Sequence, residues 1–322
     1  MKVFFAPMEG VTDYLLRQMF SAVGGYDQCT TEYLPGTNHV HSNEKFYEYY
    51  PELKQGGKTL SGTPVFLQLL GGDPGMMAAN ASRAVELGAI GIDINFGCPA
   101  RTVNNHDGGA AILKNPHRVY DITSAIRKAV PANVPVTAKI RLGFAVPDHA
   151  VEIAQAAEAA ECNWLTVHAR TRNDAYNPPA RWEWIGRIRE NVRLPLVANG
   201  DIWSLKDYVA CVSQTGVRSV MLGRGAFVQP DLAKQIKSGE DETWSWDRMY
   251  DFLLRFVRTG FEIHGERYVL NRTKQWLRFL GRNYPEAVVL FQDVKRVATA
   301  SELIGKLNAT TSSGKWQLLA PN

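Results

Sequence analysis

The chain has 322 residues, which is enough for one large domain or two ordinary ones. Apolar residues make up 45% of it and charged residues 21%, proportions that exclude a disordered chain, a collagen-like repeat and a coiled coil. The formal net charge is +4, and residues 243–322 contain 12 lysines and arginines against 7 acidic residues, so the positive excess is C-terminal and indicates a polyanionic partner.

Short apolar segments alternate with helix-length segments through the first three quarters of the chain. The strand candidates are 3–7, 28–31, 65–70, 91–95, 136–140, 164–169, 196–199 and 219–222. Apolar residues at spacings of three and four predict helices in 77–87, 119–130, 150–160, 184–192 and 205–212. Repeated βα units predict parallel strands with right-handed crossovers. Eight such units in about 230 residues favour a closed (β/α)8 TIM barrel over an open doubly wound sheet.

After Gly239 this alternation stops. Three later segments have the apolar stripe of amphipathic helices, namely 246–263, 268–280 and 287–297.

One connection inside the barrel part is irregular. The segment 34–62 contains several prolines, glycines and histidines, and this composition predicts a long rim loop.

We therefore expect three parts along the chain: a catalytic barrel over residues 1–240, an all-helical domain over 241–307 and a flexible tail over 308–322. The tail expectation depends on the TTSSG segment and its lack of any periodicity. The positive excess lies in the helical and tail parts. Lysines and arginines on amphipathic helices are usually just solvated, so charge alone does not decide whether the helical domain binds a polyanion.

No apolar run reaches the roughly 18 residues that a membrane helix needs, and the apolar N-terminal stretch is interrupted by Pro7 and followed by Glu9. We expect neither a signal peptide nor a membrane anchor. The four cysteines are far apart and form no CxxC pair, so they predict neither a zinc site nor a disulfide framework. The expected compartment is the cytoplasm, and we expect no bound metal.

Polar residues occur at the carboxyl ends of several predicted strands, where a buried parallel strand is normally apolar. By two-residue alternation they share the positions that face the barrel axis, and they are Gln68, Asn95, Lys139, Arg141, His168 and Asn199. Such residues converge on one mouth of a barrel, where the active sites of barrel enzymes lie. Any one of them could be a satisfied polar cap near the rim. Their joint occurrence favours a functional site.

Two glycine-containing turns follow the last two predicted strands, Asn199-Gly200-Asp201 and Gly223-Arg224-Gly225. This is the usual place of a phosphate site in a barrel. Glycine lets the backbone N–H groups approach an anion closely, and Arg224 adds charge-assisted donors. Turns need glycine in any case, so the position after the eighth strand carries more weight than the GRG sequence itself.

A phosphate site alone leaves isomerases, aldolases and flavin enzymes open. A flavin needs a flat apolar floor, an amide near its pyrimidine edge and a cation near N1 and O2, where charge develops on reduction. The opening Ala6-Pro7-Met8, together with Gln68 and Lys139, has this chemistry. The sequence therefore favours a flavin.

Cys98 lies just past the fourth predicted strand, in Asn95-Phe96-Gly97-Cys98-Pro99, and so belongs to a loop at the same mouth. Its thiol could act as a nucleophile if its pKa were lowered, or as a proton donor if it stayed neutral. The other three cysteines, Cys29, Cys162 and Cys211, lie in or beside core segments and are expected to be small buried hydrophobes.

Taken in order, several motifs resemble the bacterial tRNA-dihydrouridine synthases: APMEGVTD, QLLG, DINFGCPARTV, AKIRLG, TVHART, ANGDI and MLGRGA. The likeness spans Ala6 to Ala226, and the order of so many motifs makes it specific. Downstream, RTKQWL and LFQDVK resemble the branch of the family that acts on the D-loop uridine at tRNA position 16. In one departure, Leu34-Pro35 stands where that branch tends to have a basic residue.

The resemblance implies an enzyme that contains tightly bound FMN and uses NADPH to saturate the C5–C6 bond of a uridine in tRNA. We separately expect a monomer. The resemblance also implies Cys98 as the general acid. The residues implied to bind the cofactor are Pro7, Met8, Glu9, Gln68, Lys139, His168, Asn199, Gly200, Asp201, Gly223 and Arg224. Those implied to read the uracil are Asn95, Arg141 and Tyr176. Those implied to bind tRNA are Arg272, Lys274 and Lys295.

Two other functions compete with this one. An FMN barrel similar to dihydroorotate dehydrogenase would act on a small metabolite and would need no basic helical domain. A non-catalytic RNA-binding protein built on a barrel scaffold would bind no flavin. The presence of both Cys98 and Lys139 argues against the second of these.

Overall fold

The computed structural model describes residues 1–36 and 38–310. Its centre is a closed barrel of parallel strands in the order β1-β2-β3-β4-β5-β6-β7-β8. The strands are β1 (Val3–Phe5), β2 (Gln28–Pro35), β3 (Val65–Leu70), β4 (Ile92–Phe96), β5 (Val136–Arg141), β6 (Leu165–His168), β7 (Leu196–Asn199) and β8 (Val220–Leu222). The barrel closes where β1 pairs with β8, Phe4 lying opposite Met221. The predicted (β/α)8 barrel is thereby confirmed.

Helices cover the outside of the barrel and continue beyond it. In the barrel they are α1 (Tyr14–Val23), α2 (Asn43–Tyr49), α3 (Pro74–Glu86), α4 (Arg101–Asn105), α5 (Pro116–Ala129), α6 (Ala150–Ala159), α7 (Glu183–Asn191), α8 (Leu205–Thr215), α9 (Arg224–Val228) and α10 (Leu232–Ser238). The C-terminal ones are α11 (Trp246–His264), α12 (Glu266–Leu280), α13 (Pro285–Val294) and α14 (Ala300–Thr310). Short 3-10 helices occupy Pro51–Gln55 and Gly109–Lys114.

Local sequence fixes where several of these helices begin. The side chain of Asp13 accepts a hydrogen bond from the amide of Leu16 at the start of α1. Asp73 does the same for the amide of Met76 in α3, where Pro74 occupies the first turn. Such caps satisfy backbone N–H groups that have no partner inside the helix, and proline in the first turn removes one of them.

The inside of the barrel has an apolar lower layer and a polar upper layer. Phe4, Val197 and Met221 pack together in the lower layer, with Trp164 against them. The Phe66 ring lies 5.5 Å from that of Trp164. Two residues after Phe66 and Val197, the same inward positions hold Gln68 and Asn199, whereas Ala6 and Gly223 occupy them on β1 and after β8. The two-residue alternation of a strand therefore delivers those side chains to the carboxyl-end mouth.

The segment 34–62, predicted as a rim loop, is more ordered than expected. Strand β2 runs on to Pro35, and α2 and a 3-10 helix follow it. Phe46 and Tyr50 are fully buried beneath them. The loop prediction was wrong because the prolines and glycines punctuate short elements here, while aromatic residues at a spacing of four provide a buried face.

The C-terminal helices pack against the barrel. Trp276 of α12 is buried and donates from Nε1 to the Phe227 carbonyl at 3.0 Å. Its ring lies 5.6 Å from that of Phe20 in α1. The predicted helices 246–263, 268–280 and 287–297 correspond to α11, α12 and α13. The domain boundaries at residues 240 and 307 stay a prediction.

Of the tail predicted over residues 308–322, the first three residues belong to α14, and residues 311–322 lie outside the described part of the chain. Among the described residues, no helix is both long enough and apolar enough to span a bilayer.

Candidate active site

A cavity of about 910 Å³, counted with its open mouth, lies at the carboxyl ends of the strands. It is lined by all the residues predicted for the cofactor and the uracil, together with Cys98: Pro7, Met8, Glu9, Gln68, Asn95, Lys139, Arg141, His168, Tyr176, Asn199, Gly200, Asp201, Gly223 and Arg224. The structure thus brings these residues to one place. Their individual roles stay predictions.

Lys139 extends from β5 into the cavity. Its ammonium donates to Asn199 Oδ1 at 3.2 Å, and the Asn199 amide is itself oriented by donating to the Met221 carbonyl at 2.8 Å. No carboxylate in the described part of the chain lies within ion-pair distance of this ammonium. Burial, reinforced by the positive charge of Arg141, lowers the pKa of Lys139 to about 8. The cavity therefore contains a cation whose charge is poorly compensated.

A chain of hydrogen bonds fixes the two amides beside Lys139. Asn95 Nδ2 donates to Gln68 Oε1 at 2.8 Å, and Gln68 Nε2 donates to Asp93 Oδ2 at 2.7 Å. Asp93 is buried and also accepts from the Thr137 hydroxyl at 2.6 Å. Burial raises the pKa of Asp93 against the effect of these donors. Each amide nitrogen retains a second N–H for a ligand.

Arg141 is held in place by backbone carbonyls. Its Nε donates to the Gly97 carbonyl at 2.8 Å, and its Nη1 donates to those of Thr171 and Ala175 at 2.9 and 2.7 Å. The ring of Tyr176 lies 5.2 Å from the guanidinium and is 52% exposed. A fixed cation under an exposed aromatic ring suits a planar, polar ligand.

His168 is neutral in this setting. Burial, and then the positive charges of Arg141 and Lys139, hold its pKa well below its ordinary value. Arg170 Nη1 lies 3.3 Å from His168 Nε2. The imidazole therefore contributes hydrogen bonding to the cavity without adding a further charge.

Asp201 organises the end of the cavity where a phosphate was predicted. Its Oδ2 accepts from Arg170 Nη2 at 2.5 Å and from the Ala180 amide at 2.9 Å, and its Oδ1 lies 3.6 Å from Arg224 Nη2. Burial alone would raise the pKa of Asp201, but these donors hold it below its ordinary value. The carboxylate anchors Arg170 and leaves Arg224, which is less buried, turned toward the cavity.

Glycine is required at the turn after β8. A Cβ on Gly225 would lie 2.0 Å from the Ile202 carbonyl oxygen, and one on Gly223 would lie 3.3 Å from Met8 Sδ. The first N–H groups of α9, which follow Gly223, have no acceptors inside the helix. The two turns can therefore approach an anion closely, as predicted for a phosphate site.

Cys98 follows β4, and its carbonyl is tied down by the Asn104 side chain at 2.9 Å and the Ala110 amide at 3.1 Å. Its side chain is partly buried and lines the cavity. Burial, with a further contribution from the Glu9 carboxylate, raises the pKa of this thiol. Of the two roles left open by the sequence, a raised pKa favours the proton donor.

The remaining cysteines are Cys29, Cys162 and Cys211, and all three are buried. Burial raises the pKa of each to about 12. The prediction that they are small hydrophobes of the core is confirmed.

Sequence reasoning missed part of the cavity wall. Glu32 and Tyr33 of β2 and Trp203 after β7 also line it. Glu32 faces Glu9, and desolvation together with this neighbouring carboxylate raises the pKa of Glu9 to about 7. A bulge between Thr30 and Tyr33 shifts the register of β2 against β3, so two-residue counting fails there. The Thr31-Glu32 pair within β2, a polar pair in a strand that is otherwise expected to be apolar, was the available signal.

The model of the dihydrouridine synthase (Dus) family matches residues 4–265. The chain belongs to the dihydrouridine synthase family. A tRNA-dihydrouridine(16) synthase of Neisseria meningitidis serogroup A is 45% identical over 314 residues, covering 96% of this chain and 94% of that protein. The protein of the same name from Pseudomonas putida is 45% identical over 312 residues, covering 95% and 97%. That of Vibrio parahaemolyticus is 44% identical over 307 residues, covering 94% of each.

Solved structures share the fold of this dihydrouridine synthase family member. The old yellow enzyme homologue of Zymomonas mobilis superposes with a TM-score of 0.52 at 12% identity, over 76% of this chain and 91% of that one. A 2-naphthoyl-CoA reductase complex gives a TM-score of 0.58 at 11% identity, over 74% and 50%. At this level of identity the likeness concerns the barrel fold alone.

The residues of the cavity suit a flavin mononucleotide. Lys139 is a partly buried cation whose hydrogen-bond partner among the described residues is a neutral amide, a position in which an electron-rich ring edge would be stabilised. Gln68 lines the same cavity, and Gly223 and Arg224 form a turn at its phosphate end. Among the described residues, no group of three or more His, Cys, Asp or Glu could hold a metal ion.

The three residues predicted to bind tRNA lie in the C-terminal helices of this family member, and two of them are engaged within the protein. Arg272 is 10% exposed and donates from Nη2 to Asp13 Oδ2 at 3.1 Å and to the Val11 carbonyl. Lys274 Nζ donates to the Val297 carbonyl at 2.6 Å. Lys295 is exposed and contacts Gln292. Only Lys295 therefore has the position that a phosphate contact needs.

Proposed function

We propose that the protein reduces the C5–C6 bond of a D-loop uridine in tRNA, at position 16, with bound FMN and with NADPH as reductant. The observation that carries this proposal is the meeting of Cys98, Lys139 and the Gly223-Arg224 turn in one cavity at the barrel mouth. The names of the relatives, tRNA-dihydrouridine(16) synthases, support the substrate and its position. The likeness to these proteins covers nearly the whole chain.

When bound, FMN supplies the hydride, taken from NADPH, that reduces C6 of the uracil. The chain's own residues hold it. Lys139 would stabilise its pyrimidine edge, Gln68 would donate a hydrogen bond to that edge, and Arg224 with the amides after Gly223 would bind its phosphate. Pro7, Met8 and Glu9 line the same cavity, as do His168 and the Asn199-Gly200-Asp201 turn, and together they complete the set.

Cys98 donates the proton that C5 requires. Hydride addition at C6 leaves negative charge toward C5 and O4, and a neutral thiol at the mouth can neutralise it. A thiolate could not perform this step. Because burial raises the pKa of Cys98, the thiol stays protonated through neutral pH, and the donor is lost only as the pH rises above that raised value.

The target uracil must leave the stacked tRNA to reach the cavity, at an unstacking cost of about a few kcal/mol. We assign its recognition to Asn95, Arg141 and Tyr176. Asn95 presents an amide next to Cys98, and Tyr176 is exposed at the rim above the fixed guanidinium of Arg141. An aromatic ring at this position can stack on an extruded base.

We assign tRNA phosphate binding to the exposed basic residues of the C-terminal helices and their turns. They include Arg248, Arg255, Arg258, Arg267, Arg278, Arg282, Lys295 and Arg296. Phosphate contacts of this kind give an affinity that falls steeply with salt. In this assignment Arg272 and Lys274 act inside the protein, where they join the helices to each other and to the barrel.

The proposal is tested with the purified protein, FMN, NADPH and an unmodified tRNA transcript. We expect one dihydrouridine per tRNA, detected by mass spectrometry of nucleosides and mapped to position 16 by primer extension. A transcript with cytidine at position 16 is the matched control and should remain unmodified. Product at another position would overturn the assignment of the uridine, and preferential turnover of free uridine or dihydroorotate would overturn tRNA as the substrate.

A further inference from the structure

Arginines and aromatic rings alternate from the centre of the barrel mouth to the C-terminal helices. The Tyr176 ring lies 5.2 Å from the guanidinium of Arg141 and 5.1 Å from that of Arg224. Trp203 follows, with its ring 4.9 Å from Arg224 and 4.1 Å from Arg282. Arg282 lies in the turn after α12. We call these five residues the cation–aromatic ladder.

The cations of the ladder differ in how far their charge is compensated. Arg141 is buried and donates to three backbone carbonyls, and Arg224 lies 3.6 Å from the Asp201 carboxylate. Arg282, at the outer end, is exposed, and no acidic side chain of the described residues pairs with it. Its contact is the face of Trp203. The positive charge at the outer end is therefore available to a ligand.

The stack on Trp203 prepares Arg282 for binding. A free arginine side chain loses conformational entropy when it is fixed, and contact with an indole face fixes much of it in advance. The planar edge of the guanidinium stays open, and this edge matches two oxygens of a phosphate. Pre-ordering of this kind favours binding because less freedom remains to be lost.

The position of the ladder indicates which phosphate is bound. Trp203 lines the cavity, so Arg282 stands at its border on the side of the basic helices. A tRNA strand that lies on those helices and delivers a uridine into the mouth crosses this border. We propose that Arg282, held against Trp203, binds a backbone phosphate of the tRNA strand beside the target nucleotide. Trp203 is a positioning residue in this arrangement, and the inference rests on the function proposed above.

The chain contains a matched control for this pair. Arg187 of α7 is also exposed and stacks on a tryptophan, Trp184, at 4.6 Å. Neither of these residues lines the cavity. Arg187→Gln therefore removes the same charge and the same type of stack from the surface of the barrel, away from the proposed path of the RNA.

The experiment compares Arg282→Gln with Arg187→Gln in the FMN-loaded enzyme. We expect Arg282→Gln to weaken tRNA binding about five- to tenfold, the size of one charge-assisted contact. The slope of log affinity against log salt is negative. It should become less steep by about 0.7 to 0.9, which corresponds to the loss of one phosphate contact. Flavin reduction by NADPH should be unchanged in both variants, and Arg187→Gln should bind tRNA like the parent.

Further variants separate the positioning role of Trp203 from the charge of Arg282. Trp203→Leu should weaken tRNA binding without changing the net charge, and adding Arg282→Gln to it should have little further effect, because the two residues act as one unit. Arg282→Lys keeps the charge but not the planar stack, so we expect partial rescue.

Unchanged tRNA affinity and salt slope in Arg282→Gln would overturn the inference. A defect confined to the KM for NADPH would also overturn it, by showing that the phosphate bound is that of the dinucleotide. If the proposed function itself were wrong, the parent enzyme would make no dihydrouridine, which is a different result from a variant that binds tRNA normally.

Discussion

Two cations of this barrel, one buried and one partly buried, have opposite surroundings. Arg17 of α1 lies behind the wall of the barrel, 1% exposed, with its Nε and Nη2 each 2.8 Å from a carboxylate oxygen of Glu52. Its Nη1 donates to the Thr12 carbonyl. Lys139 in the mouth donates to one neutral amide. The carboxylate more than offsets burial and raises the pKa of Arg17, whereas burial and Arg141 lower that of Lys139 to about 8.

This difference in pairing distinguishes a cation with a structural role from one with a functional role. A buried charge with a complete set of partners strengthens the fold around it only as long as every partner is present. A buried charge without them destabilises the empty protein and is relieved when a ligand arrives. The Arg17–Glu52 pair therefore stabilises the barrel, whereas the residues of the mouth bind the ligand and carry out the reaction. Substitutions in the two regions should affect different measurements.

The largest expected effect is that of Cys98→Ala. We expect uridine reduction in tRNA to fall by about 10²- to 10⁴-fold, the usual contribution of a positioned proton donor. Flavin reduction by NADPH and the free energy of unfolding should stay close to those of the parent, because the thiol is only partly buried and the variant keeps both hydrogen bonds of the Cys98 carbonyl. Stopped-flow absorbance and single-turnover assays measure the two half-reactions. Cys211→Ala, at a buried cysteine outside the cavity, should leave uridine reduction by the folded enzyme intact.

Glu52→Gln should have the opposite profile. It leaves the buried guanidinium of Arg17 without a counter-charge, which costs about 3–5 kcal/mol of unfolding free energy. Uridine reduction per folded molecule should be unchanged, since neither residue lines the cavity. Denaturant unfolding gives the first quantity and active-site titration the second. A stable variant with impaired chemistry would contradict the separation of the two regions.

Much of the mouth could be predicted from the sequence, because two-residue alternation assigns each strand residue to a face. Gln68, Asn95, Lys139 and His168 are at the predicted positions. The same counting could have identified Asp93, two residues before Asn95, and Arg170, two after His168. They were missed because a buried carboxylate or guanidinium is recognisable as part of a network only when its partners are known, and those partners come from other strands.

The helical region was harder to predict for a related reason. Arg272 was assigned to tRNA from its motif, yet it lies three residues after Val269 and four before Trp276, both of which are buried. That spacing places it on the inward face of α12. Its partner Asp13 is 259 residues away in the chain, and no local pattern reveals such a pair. Similarly, nothing in the sequence brings Trp203 to Arg282.

Arg272→Met provides a smaller test of this distinction. Arg272 is nearly buried and paired with Asp13, so we expect a loss of about 1–3 kcal/mol in unfolding free energy. The salt dependence of tRNA binding by the folded protein should not change. Lys295→Met should have the opposite profile. Its unfolding free energy should be unchanged, and its slope of log tRNA affinity against log salt should be less steep by about 0.7 to 0.9. Equal salt slopes in Lys295→Met and the parent would remove Lys295 from the RNA contact.

The last test concerns the pH dependence of stability at Lys139. Its pKa is about 8 in the folded flavin-free protein, against 10.5 for an ordinary lysine. Between these values the unfolded chain binds a proton that the folded protein has already released, so unfolding free energy rises with pH through this window. The strain of the buried charge is thus fully present below pH 8 and is relieved above it.

Lys139→Met lacks the titrating ammonium. Subtracting its unfolding free energy from that of the parent therefore isolates the contribution of the Lys139 charge. We expect the unfolding free energy of the parent, minus that of Lys139→Met, to be lowest near neutral pH and to rise between about pH 8 and pH 10.5. Urea unfolding of flavin-free protein across that range measures it, with Lys206→Met, at an exposed position of α8, as the control. A difference that stays flat or falls with pH would mean that the Lys139 charge is compensated, and the contrast with Arg17 would then disappear.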